Sequence, residues 1–335
     1  MTSEDSSPPP SAVASPFLAD CHLHFEGCLP TTEIARLAAR SSHPFADLAA
    51  FDSARRNVRD APSFLLLYAE VCRLFRGPED YVEAAIAVAR SLAADGLRYA
   101  EIYVSPEIYA RFGMDAAACL QAIDAGFQEA LEEKGILCRI LLDAVRHWGA
   151  ESAVRVLDLY ERLRLPSIVG FGLGGDEQAV PAAAFADVYL RARALGLRTS
   201  VHSGEWAGAD AVREVLDHLR PDRLDHGIGA AADPRLLERL AEEDTILCVA
   251  PTSNLRTGAV GHVAAHPLRR MLDAGVRVTL SADDPVLFAT STRSEYEFAK
   301  SKLGLTEEEL LKIAGNAWHA AFCTREEREA GLRGS

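Results

Sequence analysis

Eight short apolar runs recur along this chain, at residues 17–21, 97–104, 137–143, 168–173, 198–202, 222–225, 245–249 and 276–281. Between them lie stretches of helical periodicity at 79–94, 115–133, 150–164, 181–195, 208–219, 233–242 and 266–274. A strand reaches a parallel neighbour only through a crossover connection, usually a helix, so this alternation calls for a parallel sheet. Eight strands are the number that closes a TIM barrel, and the expected fold class is therefore α/β, a (β/α)8 barrel. Two features depart from a minimal barrel: a mainly helical insert at 31–78 and a helical tail at 294–332. Residues 1–16, rich in Ser, Pro and acidic side chains, are expected to be a disordered tail. No later segment reads as a linker, so residues 17–335 are expected to form one domain. With 49% of its residues hydrophobic, the chain can fill a barrel of about 250 residues or more.

The polar residues fall where such a barrel would use them. His22 and His24 follow the first run, Gly174–Glu177 follow the fourth, His202 ends the fifth, His226 ends the sixth and Asp283–Asp284 end the eighth. The C-terminal ends of all barrel strands open on one face, where active sites sit, so these positions converge. At alternate positions His22 and His24 point the same way, as two ligands of one ion must. Such a pair alone reads equally well as hydrogen-bonded histidines. With His202 and the acidic pair added, three imidazoles and a carboxylate suit a zinc-like ion with room for a water.

Glu205 lies three residues beyond His202, after a Ser203–Gly204 step that can turn its carboxyl back toward the mouth. A buried glutamate that does not ligate the metal can shuttle a proton to a substrate. Its plainer reading is a helix-N-terminal Glu stabilised by the dipole. His226 is suited to hold a metal-bound water, or equally to be a satisfied core histidine. Asp283 is suited to ligate the metal and take a proton from that water, leaving Asp284 for the substrate. The chemistry these residues imply is attack of activated water on an sp² carbon, either hydrolytic deamination or amide hydrolysis.

Six motifs in order resemble the adenosine deaminase family, within the wider amidohydrolase group. They are His22-Leu23-His24-Phe25-Glu26-Gly27, Gly172-Leu173-Gly174-Gly175-Asp176-Glu177, His202-Ser203-Gly204-Glu205, Asp225-His226-Gly227, Pro251-Thr252-Ser253-Asn254 and Ser281-Ala282-Asp283-Asp284-Pro285. The resemblance covers residues 17–325 and implies one Zn2+ per chain, bound by His22, His24, His202 and Asp283. It further implies that Glu205 protonates purine N1, that His226 orients the attacking hydroxide, that Asp284 contacts N7 and that the backbone of Gly175 contacts N3. His24 and Glu26 would also reach the substrate. Ser63-Phe64-Leu65, with Tyr68, resembles the hydrophobic helix that covers it. Two-metal relatives bridge their ions with a carboxylated Lys after the fourth strand; here that position reads Gly174-Gly175-Asp176, and no Lys lies between 135 and 299, so one metal is expected.

One departure bears on the substrate. Adenosine-acting members usually carry Asp where this chain has Glu26, and Glu is more typical of relatives acting on adenine or modified nucleosides. Against that, Gly174-Gly175-Asp176-Glu177 is similar to the nucleoside enzymes. The favoured substrate is adenosine or 2′-deoxyadenosine, with 6-aminodeoxyfutalosine and adenine as alternatives. A relative that only binds or signals is the non-enzyme alternative, disfavoured because no element of the constellation is missing.

The formal charge of −14 argues against a nucleic-acid surface. Seven Cys without CxxC spacing suggest free thiols in a reducing compartment. With no signal-like N-terminus and no apolar stretch of about 18 residues, the expected location is cytoplasmic, away from membranes. His43, His147, His218, His262, His266 and His319 are assigned no role, and Glu101 and Tyr103 are expected to fill the barrel interior.

Overall fold

The computed structural model describes residues 17–333, so the expectation for residues 1–16 lies outside the described residues. Eight parallel strands stand among the described residues: β1 Leu18–His24, β2 Leu97–Val104, β3 Leu137–Val145, β4 Ile168–Gly174, β5 in two short pieces, Arg198–Thr199 and His202–Ser203, β6 Arg223–His226, β7 Ile246–Val249 and β8 Val278–Leu280. Each pairs with the next in sequence order. Across the break in β5 the ladder continues, with Ser200 N–H donating to Phe171 O at 3.0 Å and Asp225 N–H to Val201 O at 2.9 Å. The last strand returns to the first where Leu23 bridges Asp283 in parallel. There His24 N–H donates to Asp283 O at 2.9 Å and Asp283 N–H to His22 O at 3.1 Å. The fold is the expected (β/α)8 barrel.

The first run was expected to end at residue 21, but β1 continues through His24, because its pairing with β2 extends to Tyr103. Asp20 is opposite Ala100 and Leu23 opposite Ile102, so three steps of β1 face two of β2. This bulge resets the alternation. Cys21 packs inward with Tyr99 and Trp318, and His22 and His24, both against Tyr103, face inward as well.

The insert after β1 contains helices Thr31–Ala39, Leu48–Arg56 and Ala61–Cys72, followed by the crossover helix Pro78–Ala94. Ala61–Cys72 starts at a capping box: Asp60 accepts from Ser63 N–H at 2.9 Å, with Pro62 in the first turn. The tail forms Thr292–Leu303, Glu307–Ala320 and Arg325–Arg333. Three short helices escaped the periodicity reading: Pro106–Arg111, Pro251–Arg256 and Pro285–Phe288, each directly after a strand. Each opens with proline at its first position, a start signal that periodicity over so few residues cannot supply. No helix among the described residues is long and apolar enough to cross a membrane.

The tail closes the barrel floor. Trp318 donates its indole N–H to Phe17 O at 2.6 Å. Arg223, fully buried, donates to Ala320 O at 2.9 Å and Cys21 O at 2.7 Å, with its guanidinium 4.0 Å from the Phe322 ring centre. Its ionic partner is Glu101, 2.5 Å away and equally buried, which also accepts from Tyr99 OH at 2.6 Å and from Phe322 N–H. Glu101 and Tyr103 thus fill the interior as expected, and Glu101 does so as half of an ion pair. Removing one member of such a pair strands the other charge and costs about 3–5 kcal/mol. Glu101→Leu alone is expected to lose stability on that scale in urea unfolding, and Glu101→Leu with Arg223→Met to lose less than the sum of the two single changes.

Candidate active site

Strands β1, β5 and β8 bring four donor atoms together at the C-terminal face. His202 Nε2 lies 3.0 Å from His22 Nε2 and 3.1 Å from His24 Nε2. Asp283 Oδ1 lies 3.4 Å from His22 Nε2 and 3.3 Å from His24 Nε2. Four ligands at 2.0–2.1 Å from a tetrahedral ion would be about 3.3 Å apart, so these spacings fit a divalent cation. The imidazoles are suited to offer lone pairs. Burial, then His202 and His24, hold His22 well below its ordinary pKa, and burial, then His202, bring His24 to about 3.

Buried acids hold this cluster in place. Asp20 accepts from His22 N–H at 3.0 Å, Ala282 N–H at 3.0 Å and Thr292 OH at 2.6 Å, tying the β1 bulge to the end of β8. Asp225, fully buried, accepts from Ser200 OH at 2.9 Å and from Tyr103 OH. Its carboxylate lies 3.6 Å from His202 Nδ1 and 3.9 Å from His22 Nδ1, behind both rings. His226 and Asp283 each have φ of +61°, an uncommon left-handed conformation for non-glycine residues that recurs at functional sites. Asn254 lies 3.1 Å from His226 Nδ1, and donation from its amide leaves the imidazole proton on Nε2, toward the cavity. A Cβ on Gly27 would collide with the Asp284 carboxylate, which accounts for the glycine of the first motif.

Glu205 is aimed by a clamp. Gly204 has φ of +68°, and the Glu177 carboxylate accepts from Gly204 N–H at 2.6 Å, Ala207 N–H at 2.8 Å and Trp206 N–H. Glu205 then lies with Oε2 3.4 Å from His226 Nε2 and Oε1 accepting from Thr257 OH at 3.2 Å. Burial, then the charges of Asp283 and Glu177, push its pKa well above the carboxylate range.

A cavity of about 400 Å³ opens on these groups. His24, His202, Glu205, His226, Asp283 and Asp284 all line it, as does Gly175. Gly175 has φ of +89°, and a Cβ there would lie 2.9 Å from His147 Nδ1. Phe64 and Tyr68 form part of the roof, Phe64 stacking on Phe288 with ring centres 4.8 Å apart. His22, fully buried, stands behind the wall. Glu26, expected to reach the substrate, is fully buried and not on the cavity wall, and its Oε2 accepts from the OH of Tyr68, itself on that wall, at 2.7 Å. His147, given no role from sequence, lines the cavity, as do Ser105, Asp143, Trp206 and Thr257. Asp143 had a readable signal, because it ends the third apolar run just as His202 ends the fifth.

The adenosine deaminase family model matches residues 17–333. The chain belongs to the adenosine deaminase family. It is 39% identical to an adenine deaminase of Sinorhizobium medicae over 93% of this chain and 95% of that protein. The crystal structure of an adenine deaminase from Arthrobacter aurescens superposes with a TM-score of 0.89 at 30% identity, covering 95% of this chain and 97% of that one. An amidohydrolase from Burkholderia ambifaria with bound Zn gives 0.87 at 28% identity, over 93% and 87% of the two chains. The protein is a hydrolytic deaminase, and its three-imidazole, one-carboxylate cluster supports a divalent metal. Metal-stripped protein is expected to take up a divalent ion and melt at higher temperature, since an ion bound only by the folded state adds about 2.7 kcal/mol at 100 times its Kd. His202→Ala is expected to lose that uptake, as read by elemental analysis after gel filtration.

Proposed function

We propose that this deaminase converts adenine to hypoxanthine and ammonia, with one zinc ion at His22, His24, His202 and Asp283. The observation that carries the substrate choice is the Glu26–Tyr68 contact. Where adenosine-acting relatives are expected to keep an aspartate free for the sugar, this carboxylate accepts from Tyr68 at Oε2 and does not line the cavity. The similarity to enzymes named adenine deaminases supports the same reading. Adenine thus moves ahead of the nucleoside favoured from sequence alone. A cavity of about 400 Å³ has room for more than a purine, which keeps adenosine as the second reading.

The side chains divide the chemistry by their environments. A bound zinc ion would acidify water at the site. Glu205, kept protonated by burial and by Asp283, gives its proton to purine N1 as water adds at C6. His226, held neutral by burial and by His22 and His202, keeps its Nε2–H on the attacking water. Asp283 takes the proton the water loses on attack and hands it to the amino group, the C6–N6 bond breaks to release ammonia, and the remaining hydroxyl proton on C6 returns to Glu205 as the carbonyl forms. Asp284, raised well above its ordinary pKa by burial and by Asp283, offers an O–H to N7, and Gly175 offers its backbone N–H to N3.

The test is ultraviolet absorbance with zinc-loaded protein offered adenine, adenosine, 2′-deoxyadenosine and 6-aminodeoxyfutalosine. Adenine is expected to give the highest kcat/KM; a nucleoside turned over faster would overturn the substrate assignment. Glu205→Gln is expected to lower kcat by about 10²–10⁴ with metal content unchanged. The acid form of Glu205 persists below its raised pKa, so activity holds well above the ordinary carboxylate range and falls as pH climbs through that value. An alkaline limb that survives in Glu205→Gln would assign the ionisation elsewhere.

A further inference from the structure

One buried acid on the cavity wall has no part in the chemistry above. Asp143, on the inward-facing row of β3 with Val145 beyond it, is 5% exposed and lines the cavity. Its Oδ2 accepts from Ser105 OH at 2.6 Å, and Ser105 itself lines the cavity from the end of β2. Its Oδ1 has no hydrogen-bond partner in the protein. The carboxylate has its place because residue 174 is glycine: a Cβ there would lie 3.2 Å from Oδ1 and 3.5 Å from Oδ2. No Lys or Arg pairs with it among the described residues; burial raises its pKa to about 6, while His202, Ser105 and the Gly174 backbone favour the carboxylate.

The proton inventory of the substrate supplies the occupant. Accepting the adenine reading, N1 is the site of protonation, N3 accepts the N–H of Gly175, and the one ring hydrogen of the free base in its 9H form sits on N9. That N9–H needs an acceptor, and a nucleoside has none to offer there because its N9 carries the sugar. Glu26 does not line the cavity, whereas Asp143 is on the wall. We propose that Asp143, held by Ser105, is a specificity-determining residue that accepts the N9–H of an unsubstituted 6-aminopurine.

The experiment compares adenine with an isostere in which sulfur replaces N9–H, using zinc-loaded wild-type, Asp143→Ala and Ser105→Ala proteins. A hydrogen bond to a charged acceptor corresponds to a factor of about 10–150 in kcat/KM. Wild type is expected to prefer adenine over the isostere by that factor. Asp143→Ala is expected to lose it on adenine while keeping the wild-type rate on the isostere, so that the preference collapses toward one. Ser105→Ala, a milder change, is expected to fall between the two. Equal losses on both substrates would mark Asp143 as merely structural and overturn the proposal, as would an undiminished preference in Asp143→Ala or, should that variant not fold, in Ser105→Ala. If wild-type protein turns over nucleosides but not adenine, the adenine reading itself fails, a result distinct from adenine turnover without discrimination against the isostere.

Discussion

Two hydrogen bonds join the last barrel strand to the first, and both are made by residues whose side chains converge on the metal position. His24 N–H donates to Asp283 O, and Asp283 N–H donates to His22 O. Closing the barrel and assembling the cluster are therefore one event, because the backbone that seals the ring also fixes where three of the four donors stand. The bulge in β1 is the local cost. Without it, strict alternation from an inward Cys21 would turn His22 and His24 both onto the outer face, away from the cluster. Asp20 reinforces the junction by bonding to both sides of it, at His22 N–H and Ala282 N–H.

This coupling explains what could be read from sequence and what could not. Strand ends in a barrel share one face, so His202, His226 and Asp283 declared themselves by position once eight runs were counted. The crossover helices showed periodicity, down to the six residues of Leu268–Asp273, but Pro106–Arg111 and Pro251–Arg256 are single short turns set between a strand end and the next segment and escaped that reading. The β1 bulge has no composition signal and depends on how β2 pairs beside it. Glu26 was found from its motif, but its direction was not, because that depends on Tyr68, forty-two residues away on the helix Ala61–Cys72. Asp143 was the avoidable omission: the rule that selected His202 applied to it equally. Glu177 was located after the fourth run, while its work, clamping the backbone of residues 204–207, rests on a contact between loops that no local pattern encodes.

The charge arrangement inside the barrel follows from depth. At the floor, Glu101 and Arg223 neutralise one another within a shell closed by Phe322 and Trp318. Higher up, Asp225 accepts from two hydroxyls at Oδ2 alone, and its field is directed at the Nδ1 atoms of His22 and His202. A carboxylate behind an imidazole raises the basicity of the far nitrogen and fixes ring orientation, the usual support for a metal-binding histidine. The floor is thus built for stability and the layer above it for binding a cation.

Around the cavity the balance is strongly acidic. Asp143, Glu177, Glu205, Asp283 and Asp284 all line it, against Arg111 as the one Lys or Arg on the wall among the described residues. The Arg111 guanidinium lies 3.9 Å from the Trp148 ring centre, where it is engaged in a cation–π contact. A phosphate on a substrate would find no other Lys or Arg on this wall among the described residues to pair with. In the proposed chemistry an uncharged purine meets Glu205 and Asp284, whose pKa values burial and neighbouring acids raise, as donors toward its ring nitrogens. The desolvation that makes these carboxyls costly to ionise favours the protonated forms on which that proposal draws.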